Sequence, residues 1–174
     1  MKLNKKGFMM AEVIVVSAIV LSLLTTLYIS YNKVFSLYQS RTEYEDVNLL
    51  YDLAYYRDVL IQKGNFDTAL GDLYERQESG NSHDLLLTYY NYYQSYNSSA
   101  GANQELLGND NVFMIYLKDG SINESKTDGQ LTYKDYINYL NNSKEFTDTN
   151  CIMVLERCVD SKCKYAHIDL KRTF

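Results

Sequence analysis

The chain contains no proline and no tryptophan, and only 8 glycines, 3 cysteines and 2 histidines among its 174 residues. Without proline its helices can run long with no proline kink, and collagen-like or Pro-rich linker architectures are excluded. With two histidines, and with no HExxH, P-loop, dinucleotide fingerprint or Ser-His-Asp context, no catalytic constellation stands out. The chain is therefore not expected to be an enzyme or to carry a cofactor. Basic charge is also short: the formal net charge is −5, which gives no electrostatic reason to expect nucleic acid as a partner. What is present is globular in kind, with 46% hydrophobic and 22% charged residues and 18 tyrosines, in a length that suits one domain. The mean hydropathy of −0.34 averages one very apolar N-terminal segment with a polar remainder.

That segment, AEVIVVSAIVLSLLTTLYISY over residues 11 to 31, carries no charge between Glu12 and Lys33. Phe8 to Tyr31 is 24 residues, about 36 Å of helix at ~1.5 Å per residue, enough for a hydrocarbon core of roughly 30 Å. Lys2, Lys5 and Lys6 precede it, so the positive-inside bias leaves the N-terminus cytoplasmic and the bulk of the chain outside. Three readings compete: a cleaved secretory signal, a plain signal anchor, and a segment cut on its cytoplasmic side. The run is long for a signal-peptide core and no clear small-x-small site follows it. Gly7 between Lys6 and Phe8, with the ionisable Glu12 inside the apolar stretch, favours the third.

The string Lys5-Lys6-Gly7-Phe8-Met9-Met10-Ala11-Glu12, followed by the apolar run from Val13 to Tyr31, resembles the N-terminal signal of type IV pilins and pseudopilins. That pattern is a short basic leader, glycine, a hydrophobic residue, three apolar residues, glutamate and about twenty apolar residues. The resemblance covers roughly the first 35 residues. It implies cleavage between Gly7 and Phe8 by a membrane prepilin peptidase, N-methylation of Phe8, and a charge role for Glu12 in assembly. Glycine suits the cleavage site because it lets an extended backbone approach the protease closely. A carboxylate in apolar surroundings costs about 2.5–3.5 kcal/mol at a helix centre and less near an end. In the family that cost is relieved by the Phe8 amine of the neighbouring subunit; the alternative is a carboxylate resting at headgroup level. One departure is that many major pilins place a helix-breaking proline within the mature helix, near the point where Ile29 stands here. The segment also holds Ser17, Ser22, Thr25, Thr26 and Ser30 in place of glycine.

Beyond Tyr31 the helix is expected to continue through residues 32–63. Val47, Leu50, Ala54 and Ile61 form an apolar stripe, broadened by Leu49, Leu53, Tyr56 and Leu60, and Gly64 ends it. A single helix from Phe8 to Lys63 would be 56 residues, on the order of 84 Å at ~1.5 Å per residue. The expected domains are a leader at 1–7, an assembly helix at 8–31, its amphipathic continuation at 32–63 and a globular head at 64–174. In the head, helices are expected at Asn65–Gln77, Asp84–Tyr96 and Thr132–Asn141, the last with a Thr132/Asp135 capping box and a Leu131/Tyr136 staple. Strands are expected at Val112–Leu117, ended by the Asp119-Gly120 turn, at Ser121–Asn123, and in a hairpin of Ile152–Arg157 with Lys164–Leu170. The expected class is α+β: a long N-terminal helix, transmembrane in its first half and amphipathic in its second, packed on a small antiparallel sheet with short helices.

Cys158 and Cys163 flank the turn of that hairpin. Opposed positions on an oxidising side predict a disulfide between them, which leaves Cys151 over. A metal site from Cys151, Cys158, Cys163 and His167 matches no common zinc spacing, and no metal is expected. His83 reads as a solvated loop residue. Tyr89, Tyr92, Tyr93 and Tyr96 share a helical face, read as core or subunit contact, with an aromatic platform for sugar, single-stranded DNA or a host surface as the functional alternative. Removing the three leader lysines from 17 basic residues leaves 14 against 22 acidic, a net of −8 that argues against DNA. Asp119, Glu124 and Asp128 do not fit an EF-hand loop. The sequence thus points to a pilin-like structural subunit, a minor pilin or pseudopilin of a type IV pilus, competence pseudopilus or type II secretion-like filament. It would be a single-pass precursor in the cytoplasmic (inner) membrane and then part of a cell-surface or periplasmic filament. Its partners would be the prepilin peptidase, other pilin subunits and, indirectly, an assembly ATPase and membrane platform. The alternative is a membrane-anchored extracellular binding module that does not polymerise.

Overall fold

The computed structural model describes residues 5–94, 106–144, 146 and 149–170. The chain is α+β and divides into two compact units, Met1–Arg41 and Thr42–Phe174. The first unit is helical. Helix α1, Lys5–Tyr44, begins there, and over Met10–Tyr44 it is long and apolar enough to cross a membrane, with a mean hydropathy of 2.3 and none of its most apolar stretch buried. Two threonine hydroxyls within its apolar stretch are satisfied locally. Thr25 donates to the Leu21 carbonyl and Thr26 to that of Ser22, at 2.8 and 2.9 Å, which removes their hydrogen-bonding demand from apolar surroundings.

The second unit is built on an antiparallel sheet of β1 (Asp84–Leu87), β2 (Asp110–Tyr116), β3 (Cys151–Val159) and β4 (Lys162–Leu170), in the order β1-β2-β3-β4. Strand alternation sorts its side chains onto two faces. Val112, Met114, Met153, Leu155 and Ala166 pack with Leu49, Leu53, Tyr56 and Leu60 of α2 (Val47–Gln62) and with Ala69 and Leu73 of α3 (Phe66–Glu78). Ile115, Ile152, Val154 and Tyr165 pack with Tyr133, Tyr136, Ile137 and Leu140 of α4 (Leu131–Ser143). The sheet therefore lies between two helical layers, and the central strand β3 is buried on both faces over most of its length. Each fully buried leucine contributes about 1.5–3 kcal/mol by leaving water.

The β3–β4 hairpin is longer than the sequence predicts. Its register closes at Val159↔Lys162 around Asp160 and Ser161, both at positive φ, as the mirror-image hairpin turns require. The Asp119-Gly120 turn is present, with φ of 53° and 74°. A Cβ on Gly120 would also meet the Phe146 carbonyl oxygen at 3.0 Å, so glycine is needed there for space as well as for conformation.

Several expectations are corrected. The helix is not continuous to Lys63: α1 stops at Tyr44, Glu45 makes a parallel bridge to Tyr165 of β4, and Asp46 caps α2 by accepting from the Asn48 N–H at 2.9 Å. The buried stripe of α2 is Leu49, Leu53, Tyr56 and Leu60, while Val47, Leu50 and Ile61 are exposed. The stretch expected as a helix over Asp84–Tyr96 is β1 followed by a π-helical turn, Tyr89–Tyr93; pairing with β2 outweighs the helical spacing of its tyrosines. Tyr96 lies outside the described residues. Ser121 makes only an isolated bridge with Lys118, and a 3-10 turn at Glu124–Lys126 follows, so no strand forms at Ser121–Asn123. Helix α4 starts at Leu131 behind Gln130, with no side-chain cap. Thr132 instead directs its hydroxyl toward the Cys163 sulfur at 3.9 Å, and the Leu131 side chain of the expected staple is outside the described residues.

Candidate functional site

The residues singled out at the N-terminus all fall on α1. The Gly7–Phe8 bond belongs to its first turns, and the side chains of residues 5–9 lie outside the described residues. Glu12 is exposed, and Met10 and Val13 beside it are exposed too, at 69% and 64%. The site is thus a carboxylate on an apolar helix whose side chains the rest of the chain does not cover. The missing cover is large. Every valine, isoleucine and leucine from Val13 to Leu27 is exposed, interrupted only by Ala18 and by serines and threonines, surface that water tolerates poorly.

In the second unit, Cys158 and Cys163 form the disulfide, directly opposed in the β3–β4 register. Glu156 lies close to both sulfurs, but it accepts from the Asn111 amide at 2.9 Å and the Tyr165 hydroxyl at 3.1 Å. With both sulfurs in the disulfide, two of the four donors of the considered metal site are spent on each other. Cys151 is free and buried, and burial pushes its thiol up to about 12, which makes it inert at neutral pH. His167, the fourth considered ligand, bonds Tyr136 Oη through Nδ1 and Lys144 Nζ through Nε2, both at 2.9 Å. An ammonium can only donate, so Nε2 is the acceptor and the ring proton sits on Nδ1, 3.5 Å from Glu45.

His83 is not solvated. It is 7% exposed, its N–H bonds the Lys126 carbonyl at 2.6 Å, and its Nδ1 has no hydrogen-bond partner among the described residues. Desolvation first, then Lys126 and Lys118, hold it below the ordinary histidine range, so it is neutral. Among the described residues the tyrosine run does not form a platform. Tyr92 and Tyr93 are buried, Tyr92 donating to Asp72 at 2.8 Å and Tyr93 packing edge-on against Tyr56, while Tyr90 is exposed. Asp128 pairs with Arg76 at 2.8 Å, and among the described residues Asp119, Glu124 and Asp128 are not gathered into one ligand cluster. An open cleft of about 420 Å³ lies between α3 and β1, with Asp72, Glu75, Arg76, Asn81 and Leu86 on its walls. It gathers no nucleophile with a base beside it.

A polar network that sequence reasoning missed ties α2 to the sheet. Arg157 grips Asp110 with two hydrogen bonds, of 2.7 and 2.6 Å, and reaches Asp52 of α2 at 2.8 Å, while Tyr56 donates to Asp110 at 2.8 Å. The Asp110 carboxylate is nearly buried, so its charge needs these donors. The separations in sequence, 47 for Arg157–Asp110 and 105 for Arg157–Asp52, leave no local pattern to read. On the opposite side of α2, Val47, Leu50, Tyr51, Tyr55 and Ile61 are exposed, so the helix is apolar on both sides.

No protein-family model, no curated protein and no solved structure matches this chain. The functional reading therefore rests on the residues and their geometry.

Proposed function

We propose that this chain is a pilin-like filament subunit, a minor pilin or pseudopilin in preference to a major one, made as a single-pass precursor and processed between Gly7 and Phe8. The observation that carries the reading is the Lys5-Lys6-Gly7-Phe8 string with Glu12, opening a helix whose apolar side chains from Met10 to Tyr38 are exposed. Residues 1–7 would be the leader, with the N-terminus cytoplasmic and the second unit outside. Hydrolysis of the Gly7–Phe8 bond requires local unwinding of the first turns of α1. Glycine lowers the cost of that step, being about 1 kcal/mol poorer than alanine in a helix. The new Phe8 amine would then meet Glu12 of an adjacent subunit, and the lipid-facing helix would exchange lipid for sister helices. The exposed apolar side of α2 supports the same reading, because a subunit surrounded by copies of itself has a use for a helix that is apolar on both sides.

The prepilin peptidase would make the cut, and an assembly ATPase with its membrane platform would drive polymerisation, since the chain has no nucleotide motif. The N-terminal sequence and intact mass of the protein recovered from native membranes test the proposal. A chain starting at Phe8, with about 14 Da added if methylated, is the expected result. A chain starting at Met1 overturns it and leaves an anchored binding module. A chain starting near residue 30 marks a secreted soluble head. Glu12→Ala should leave cleavage intact and abolish recovery in filaments; indifference to that change also overturns the subunit reading.

A further inference from the structure

No helix-breaking residue stands at Glu45–Asp46, although Asp46 suits the N-cap of a new helix. No proline or glycine lies between Gly7 and Gly64, the residues that most often break a helix. The interruption coincides instead with contacts to β4. In a continuous α-helix the Asp46 N–H would bond the Thr42 carbonyl and the Val47 N–H that of Glu43. Here the Asp46 N–H donates to the Tyr165 carbonyl of β4 at 3.1 Å. The Thr42 and Glu43 carbonyls accept instead from the Lys164 ammonium, at 2.7 and 2.5 Å.

The Asp46 N–H and the Thr42 and Glu43 carbonyls have thus exchanged the bonds of helix continuity for bonds to two consecutive residues of one strand. Other contacts hold the same seat. Glu45 bridges Tyr165 and faces His167, and the Tyr44 ring stacks 5.4 Å from that of Tyr139. Asp46 is extended, at φ −126° and ψ 120°, and caps α2. When one set of backbone bonds replaces another with little net loss, two packings of the same segment differ by only a few kcal/mol.

We propose that residues 42–46 form a bistable joint, seated as a strap on the edge of β4 in one state and wound into a helix that joins α1 to α2 in the other. Lys164 is the positioning residue that selects the strap. The lack of proline and glycine permits the wound state, and the contacts with β4 together with the Asp46 cap favour the strap. The inference does not depend on the filament reading.

The test is backbone NMR of the full chain in detergent micelles, reading 13Cα and carbonyl shifts and amide exchange at Tyr44–Val47. The wild-type chain should give extended shifts at Glu45 and Asp46. Lys164→Met keeps the side-chain stem and removes the donor; Asp46→Ala removes the cap. Each should move those shifts toward helical values and slow exchange at Asp46 and Val47, the double variant most. Lys164→Arg, which retains a donor, should keep the extended shifts. Extended shifts persisting in the double variant overturn the proposal. So do coil shifts with fast exchange at 44–47 while the β3–β4 amides stay protected. If Lys164→Met disturbs those strand amides, Asp46→Ala alone decides, since it alters no strand side chain: a move toward helical shifts supports the joint and unchanged extended shifts overturn it.

Discussion

Helices α1 and α2 follow one another in the chain and are both rich in apolar residues, yet they use them differently. Along α1 the apolar side chains from Met10 to Tyr38 are exposed all round, and a helix of that kind satisfies its own backbone hydrogen bonds and lacks only apolar surroundings. Along α2 the side toward the sheet is buried to the last few per cent, with Leu53 and Leu60 at 0%, while the other side stays open. The difference shows that the second unit takes stability from α2 packed on its sheet, whereas the exposed side chains of α1 add nothing to that core.

The largest test of that contrast is Leu53→Ala, which should lower the stability of the second unit by about 3–4 kcal/mol, as buried leucines do. The same change at Leu24 of α1 should leave its denaturation midpoint unmoved. Equal effects would break the comparison. Next is Arg157→Met, which leaves the Asp110 carboxylate nearly buried and without its charged partner. Arg157 is itself 37% exposed, and the expected loss is about 2–3 kcal/mol. It should be accompanied by faster amide exchange in α2, with none in α1. Replacing Cys158 and Cys163 together with serine should cost about 2 kcal/mol, because the closed loop is short, measured as a lower midpoint in urea.

The smallest effect concerns pH. His83 is held below its ordinary value of 6.5, chiefly by desolvation, so the unfolded chain binds a proton more readily than the folded one. Stability from this group is present above about 6.5 and is lost as pH falls through the lower folded value. The melting temperature of the second unit should therefore fall on acidification, and His83→Phe should flatten that fall. A slope unchanged in the variant would assign the acid sensitivity elsewhere.

Much of this architecture was legible from local signals. The strand β2, the Asp119-Gly120 turn, the β3–β4 hairpin and the disulfide follow from alternation and spacing within a few residues of each other. The N-terminal string and its apolar run are contiguous and could be read directly. The Asp52–Arg157–Asp110 network could not, because its members meet only when α2 docks on the sheet. His83 and the run Asp84–Leu87 were misread for a related reason: four residues are too few for a period to declare itself, and their burial comes from β2 and the 3-10 turn beside them.

By itself the sequence determined the long apolar helix, the lysines before it, the pattern around Gly7, Phe8 and Glu12, and the α+β class, since each depends on neighbours in the chain. Tertiary structure decided which side of α2 is buried, that His83 and Tyr93 are inside, and that the helix stops at Tyr44. In each case local bonding and local hydrophobicity were satisfied by more than one arrangement. The choice fell to partners supplied from far along the chain, of which the Lys164 ammonium and the Tyr165 carbonyl at the edge of β4 are the clearest.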